Sequence, residues 1–195
     1  MRKRGRYMQE AVPPGEGAMA AIIGMAPEKV AEVCERAAEG QVLSPANLNA
    51  PAQVVIAGET AAVERAVEQA KAAGALKAVM LQVSAPFHCA MMRPAQERLA
   101  ADLDAITFRD LEIPLVNNAD ARIVRSGAEA RQGLKDQVPN PVRWEESIRL
   151  LAGEGVERWI EVGPSRVLTG LLRNIDRGLK GEAVGDLASL EKLSS

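Results

Sequence analysis

Aromatic side chains are scarce in this sequence: they make up 3% of its 195 residues. Proteins that bind single-stranded nucleic acids stack the bases on aromatic side chains. A net charge of −2 also offers phosphate groups no general attraction. The composition therefore argues against nucleic-acid binding.

Cysteine is rare as well, and Cys34 and Cys89 are its two occurrences. They match neither a metal-ligand spacing nor a disulfide framework, which is typical of a protein from the reducing cytoplasm. Long apolar runs are absent. The run at residues 18–26 is too short to cross a bilayer, and prolines and acidic residues separate it from the basic start MRKRGR. We therefore expect no metal site, no export signal and no membrane segment.

The residues that are plentiful indicate a globular α/β protein, with 47% hydrophobic and 26% charged residues. In the first half, apolar runs of strand length alternate with helical patterns. Strands are predicted at residues 18–25, 41–43, 53–57 and 77–83. Helices are predicted from Pro27 to Gly40 and from Thr60, as N-cap, to Gly74, with a turn at residues 47–51. This β-α-β-β-α-β order is typical of ferredoxin-like domains.

The first residues, 2–11, and the second half contain further helices and strands. Helices are predicted at residues 2–11, 92–106, 128–137, 144–152 and 167–175, and strands at 114–118 and 158–162. Because strands and helices alternate after residue 92, a parallel sheet is expected there. The segment after Gly178 is expected to be frayed.

His88, the one histidine of the sequence, follows the predicted strand 77–83. Ligands of open α/β sheets bind at the carboxyl ends of strands, so a general base is a reasonable function for it. A structural histidine at a helix start is the alternative, and the residue pattern alone leaves both open. Cys89 is not expected to pair with His88 as a nucleophile, since neighbours on a helix point in different directions.

Six segments resemble the malonyl-CoA:acyl carrier protein transacylases of fatty-acid synthesis. They are GAMAAIIG (17–24), QVVIAG (53–58), VSAPFHCAMM (83–92), IPLVNNADA (113–121), PNPVRW (139–144) and EVGPSRVLTGL (161–171). The resemblance implies an α/β-hydrolase-like acyltransferase domain with an inserted ferredoxin-like (βαββαβ) subdomain. Residues 1–14 would be a helix of the large domain, 15–83 the subdomain, 84–178 the C-terminal part of the large domain and 179–195 a tail.

The resemblance also implies roles for three residues. His88 corresponds to the catalytic base, and Arg4 to the arginine that pairs with the free carboxylate of the malonyl group. Gln137 corresponds to the residue whose backbone carbonyl orients the histidine, as an aspartate does in other triads. Asn47, Asn49, Asn117 and Asn118 are expected in turns or near the site, and Met91 and Met92 in the core or lining a channel.

The nucleophile of that family is missing from this sequence. It lies in a Gly-x-Ser-x-Gly turn, a pattern that does not occur here; Ser165 in Gly163-Pro164-Ser165-Arg166 lacks the second glycine. The resemblance therefore implies the C-terminal portion of such an enzyme. Phe87 and Pro139 are smaller departures, where the family often has a small polar and an aromatic residue.

Three functional hypotheses follow. The first is malonyl transfer from coenzyme A to the phosphopantetheine thiol of acyl carrier protein, without a cofactor. The alternative is a non-catalytic module that binds the carrier protein or another partner. The third, RNA binding by the ferredoxin-like part, is disfavoured because its predicted strands carry no aromatic residue.

Overall fold

The computed structural model describes residues 1–194 and has an α/β fold. The chain divides into two compact units, Met1–Ser147 and a second unit that begins at Ile148. The helices are α1 (Arg2–Glu10), α2 (Pro27–Ala38), α3 (Thr60–Ala72), α4 (Arg93–Asp104), α5 (Gly127–Asp136), α6 (Trp144–Gly153), α7 (Val167–Ile175) and α8 (Leu187–Ser194). The strands are β1 (Gly17–Ile23), β2 (Leu43–Ala50), β3 (Gln53–Glu59), β4 (Lys77–Met80), β5 (Leu115–Val116), β6 (Ile123–Val124), β7 (Trp159–Val162) and β8 (Gly181–Val184).

The first four strands form one antiparallel sheet in the order β2-β3-β1-β4. One of its faces packs on α2 and α3, whose apolar residues recur at helical spacing. The other face packs on the segment that contains Cys89 and Met91. Five consecutive residues of β3 are buried because both faces of this central strand are covered.

The second strand is longer than the sequence predicted. Residues 41–43 were expected to be a strand and 47–51 a turn, but β2 extends from Leu43 to Ala50. Two hydrogen bonds of 2.8 Å join this irregular edge strand to Val142. The Leu48 N–H donates to the Val142 carbonyl, and the Val142 N–H donates to the Ala46 carbonyl. Both predictions were wrong because β2 pairs with β3 from Leu43 to Ala50 in spite of two register shifts, and local turn chemistry does not indicate such pairing.

The start of α3 and the end of β4 also differ from the prediction. Glu59 takes the N-cap position of α3, while the Thr60 hydroxyl donates to the Gly15 carbonyl at 2.7 Å. The strand expected at residues 77–83 ends at Met80. The Leu81 N–H still donates to the backbone carbonyl of Met19 at 2.8 Å. A short 3₁₀ turn, Ala90–Met92, then precedes α4.

A second core in the first unit joins α1 to α4. Its buried residues include Met8, Met92, Leu99 and Val138. At its edge the Tyr7 hydroxyl donates to Asp102 at 2.8 Å. This core fixes the position of α1 against the segment that follows β4.

The unit that begins at Ile148 contains β7 and β8, which pair in parallel as expected for the second half. The short pair β5 and β6, in the first unit, is antiparallel and departs from that expectation. The segment after Gly178 is not frayed throughout: it forms β8 and α8. Ser195 lies outside the described residues. No helix between residues 1 and 194 is long and apolar enough to cross a membrane.

Candidate active site around His88

His88 lies in a tightly anchored loop between β4 and α4. Pro86 is fully buried, and its ring packs on Gly17 at the start of β1. The thiol of buried Cys89 donates to the Pro86 carbonyl at 3.1 Å. Between these anchors His88 has a positive φ of 60°, a conformation that costs energy in a residue with a β-carbon. The surrounding packing therefore determines where the imidazole points.

The His88 imidazole contacts the end of α5. Its Nδ1 lies 2.9 Å from the backbone carbonyl oxygen of Gln137. Because a carbonyl oxygen only accepts hydrogen bonds, we assign the proton of the neutral ring to Nδ1. Nε2 then carries the lone pair and can accept a proton.

The carbonyl of Gln137 is available because α5 ends there. Gln137 is the C-cap, and its N–H donates to the Gly133 carbonyl at 3.0 Å. The last carbonyls of a helix have no partner within the helix. Pro139 and Pro141 disfavour continuation of α5. The segment Pro139-Asn140-Pro141 therefore leaves the Gln137 carbonyl free to accept from His88.

The environment lowers the pKa of His88 below its usual 6.5. Burial is the main cause, and the positive charge of Arg4 acts in the same direction. The backbone carbonyls of Gln137 and Asn140 oppose it by stabilising the protonated ring. His88 is thus neutral near pH 7, which is the form a general base needs.

Arg4 of α1 lies on the other side of Gln137. Its Nη2 donates to the side-chain Oε1 of Gln137 at 3.3 Å, and its Nε is buried without a partner among the described residues. Burial lowers the pKa of the guanidinium, but an arginine remains charged. Within residues 1–194, Arg4 is therefore a partly buried cation that forms no ion pair.

One cleft of about 740 Å³ is lined by both Arg4 and His88, whereas Gln137 lines a separate cavity. The residues that line the cleft come from α1 and from the His88 loop: Arg2, Arg4, Gly5, Arg6, Met8, Gln9, Glu10, Phe87 and His88. The structure thus brings together all three residues that the sequence suggested. The contact of the Gln137 side chain with Arg4 was not foreseen, because nothing in a sequence indicates a contact over 133 positions.

The remaining candidates have structural surroundings. Ser165 donates to buried Glu161 at 3.0 Å. Burial raises the pKa of the Cys89 thiol to about 11, so it is not a thiolate at neutral pH. Met92 is a core residue, as expected.

The asparagines have separate positions. Asn47 lies in β2 and Asn117 forms a turn by accepting from Ala119 and Asp120, each at 3.1 Å. Phe87 lines the cleft at His88, whereas Pro139 lines a different cavity. Within residues 1–194, no three His, Cys, Asp or Glu side chains lie close enough to hold a metal ion.

The chain resembles several known proteins. It is 50% identical over 187 residues to the malonyl CoA-acyl carrier protein transacylase of Escherichia coli (strain K12), a match that covers 96% of this chain and 60% of that protein. It superimposes with a TM-score of 0.95 and 47% identity on an acyl carrier protein S-malonyltransferase of Vibrio cholerae, covering 98% of this chain and 62% of the other.

A third structure is a type II polyketide synthase acyl-carrier protein in complex with its malonyl-transacylase. The match has a TM-score of 0.94 and 49% identity, and it covers 97% of this chain and 61% of that chain. The chain thus spans about 60% of the length of the relatives it matches. A family model for the acyl transferase domain matches residues 1–191. The chain therefore belongs to the acyl transferase domain family.

Proposed function

We propose that the protein transfers a malonyl group from coenzyme A to the phosphopantetheine thiol of acyl carrier protein. The observation that carries the proposal is the cleft that both His88 and Arg4 line; Gln137 contacts the imidazole and the guanidinium, and the guanidinium forms no ion pair with the described residues. The relatives named malonyl CoA-acyl carrier protein transacylase support it. The solved complex of a malonyl-transacylase with a carrier protein supports the choice of partner.

In the proposed reaction His88 moves one proton in each half. Nε2 accepts the proton of a serine hydroxyl, and the serine oxygen attacks the malonyl thioester carbonyl. The tetrahedral intermediate collapses, the carbon–sulfur bond breaks, and the coenzyme A thiolate leaves with the proton from His88. The thiol of the carrier protein then gives its proton to His88, and its sulfur attacks the carbonyl of the acyl-serine. The ester carbon–oxygen bond breaks, the serine oxygen recovers the proton from His88, and the malonyl group remains as a thioester on the carrier protein.

Arg4 would bind the free carboxylate of the malonyl group. Its planar fork of N–H donors matches a carboxylate in two hydrogen bonds, and Nε is not used by any described residue. An acetyl group has no carboxylate, so it would leave the buried guanidinium without an anion. Arg4 thereby selects malonyl over acetyl groups.

The serine of this reaction is not in the 195 residues, because no Gly-x-Ser-x-Gly occurs in them. We expect the chain by itself to transfer no malonyl group above background, since nucleophile and oxyanion donors dominate such catalysis. Radiolabelled malonyl-CoA and carrier protein, incubated with the chain alone and with a second polypeptide that bears the serine turn, test this. Activity that needs both polypeptides and disappears in His88→Ala would support the proposal. Transfer by the chain alone that survives His88→Ala would overturn it.

The alternative is a non-catalytic module that binds acyl carrier protein, and the missing serine turn favours it. It predicts carrier-protein binding by the chain without any restored transfer. A titration of the chain with carrier protein, run beside the complementation assay, distinguishes the two functions.

We also propose that residues 15–83 are a ferredoxin-like subdomain inserted in an α/β-hydrolase-like acyltransferase domain. The sheet order β2-β3-β1-β4 and the β-α-β-β-α-β sequence support it. Residues 1–14 and 84–178 would belong to the large domain, and 179–195 would follow it.

The proposed reaction needs no cofactor. The free cysteines Cys34 and Cys89 suit a cytoplasmic protein.

A further inference from the structure

Gln137 contacts both candidate site residues with two different parts of itself. Its backbone carbonyl accepts from His88 Nδ1 at 2.9 Å. Its side-chain Oε1 accepts from Arg4 Nη2 at 3.3 Å. The first contact is possible for any residue at position 137, whereas the second depends on the side chain. The side chain therefore has a function that a carbonyl alone does not explain.

The Arg4 charge is not balanced within the part of the chain that the structure describes. No carboxylate of these residues lies within ion-pair distance of Arg4, and its Nε is buried without a partner. Glu10, the acidic residue that lines the same cleft, is engaged by Arg98 at 2.8 Å and by Arg6 at 3.7 Å. A partly buried guanidinium without an anion is costly, so the cleft favours a ligand that brings one.

A glutamine is suited to hold such a cation without neutralising it. Its amide oxygen accepts one hydrogen bond and leaves the other donors of the guanidinium for a ligand. A glutamate of almost the same shape would form an ion pair with Arg4 and compete with an anionic ligand. Glutamate would therefore add one negative charge beside the position where a ligand carboxylate would bind, whereas glutamine adds none.

We propose that the side-chain amide of Gln137 determines the specificity of this cleft through its contact with Arg4: it positions the Arg4 guanidinium beside His88 and keeps its charge available for the carboxylate of a malonyl thioester. This inference rests on the proposed function. Because the positive charge of Arg4 acts on His88 directly, a carboxylate bound at Arg4 would also change the electrostatic environment of His88. It cancels the repulsion by Arg4 that helps to lower the pKa of His88.

Binding of malonyl-CoA and acetyl-CoA to the 195-residue chain tests the inference without any need for catalysis. Calorimetry would compare the wild type with Gln137→Glu, and with Gln132→Glu as the matched control. Gln132 lies on α5 as well, is exposed, and contacts Asp136 instead of Arg4. We expect Gln137→Glu to weaken malonyl-CoA binding at least about tenfold and to leave acetyl-CoA binding and the control unchanged.

The single histidine provides a second readout by nitrogen NMR of its imidazole. We expect malonyl-CoA to raise the pKa of His88 in the wild type, and Gln137→Glu to raise it without ligand. A proton retained on Nδ1 in Gln137→Glu would show that the variant is folded, since that contact uses the backbone.

The outcomes separate this inference from the function on which it rests. If the wild type prefers malonyl-CoA and Gln137→Glu binds it equally well, the inference is wrong and the proposed function stands. Arg4→Met, measured in the same way, lacks the guanidinium and is expected to show no preference for malonyl-CoA over acetyl-CoA. If the wild type shows no preference either, the carboxylate site itself is wrong, and the inference fails with it.

Discussion

The ring of Pro86 packs so closely on Gly17 that a β-carbon at residue 17 would lie 2.3 Å from the proline Cγ. This contact holds the loop of His88 against the first strand of the sheet. It joins the apolar motif GAMAAIIG to the histidine motif. A glycine that looks like part of an ordinary strand is thus part of what positions the candidate base.

We therefore expect Gly17→Ala to destabilise the first unit and to move His88. The rigid proline ring cannot turn away from a methyl group as a flexible side chain would, and overpacking costs about 1–3 kcal/mol. Chemical unfolding and the NMR signals of His88 would measure both effects. Gly5→Ala is the control, since nothing lies within 4 Å of a β-carbon there; inside a helix it should stabilise by about 1 kcal/mol. Equal effects of the two variants would contradict this explanation.

His88 should titrate below 6.5, with its neutral form protonated on Nδ1. Arg4→Met should raise this pKa, because the methionine removes a nearby positive charge and keeps much of the apolar volume. Nitrogen NMR of the one imidazole measures pKa and tautomer together. Arg2→Met, in the same cleft but not among the groups that shift the pKa of His88, is the control. A proton found on Nε2 would contradict the assigned hydrogen bond.

The stability of the chain should decrease as the pH falls below about 6.5. The pKa of His88 is lower in the folded state than its unfolded value of 6.5, so the unfolded state binds more protons there. The stabilisation from neutral His88 is fully present above pH 6.5 and is lost as the pH falls through the folded pKa.

Urea unfolding of the wild type and His88→Gln between pH 8 and pH 5 measures this contribution. The wild type should lose more stability than the variant over that range. The lowered pKa values of Asp102, Asp104 and Glu129 affect stability only at lower pH, because their usual values are 3.8, 3.8 and 4.5. Parallel curves for the two proteins would show that His88 is not the group responsible.

One face of β7 should promote self-association. Ile160 and Val162 are 40% and 83% exposed on that face, and β7 with β8 forms a parallel sheet of two strands. Parallel sheets are stable mainly when both faces are covered. The double variant Ile160→Lys, Val162→Lys should have a sedimentation coefficient closer to that of the monomer than the wild type has at the same high protein concentration.

Leu187→Lys serves as the control for that experiment. Leu187 is 78% exposed but belongs to α8, so this variant tests exposed apolar surface in general. An equal shift in the control would indicate association without any preference for the face of β7.

The sequence predicted elements whose signals are local. Helix α7 begins and ends where predicted, at Val167 and Ile175, because a Gly-Pro turn precedes a regular apolar pattern. Strands β1 and β3 were located because each is an apolar run of strand length. The segment after Gly178 was misjudged because β8 is stabilised by pairing with β7, and its own residues are weak strand formers.

For the site, the residues by themselves indicated only His88, and the family resemblance added Arg4 and Gln137. Six motifs in one order were enough to indicate the acyl transferase family, because a motif can be recognised from its residues without knowing how they pack. The tertiary structure alone decided that the Gln137 side chain contacts Arg4 and that Pro86 packs on Gly17. Such contacts depend on the register of segments far apart along the chain, and only the packed core determines that register.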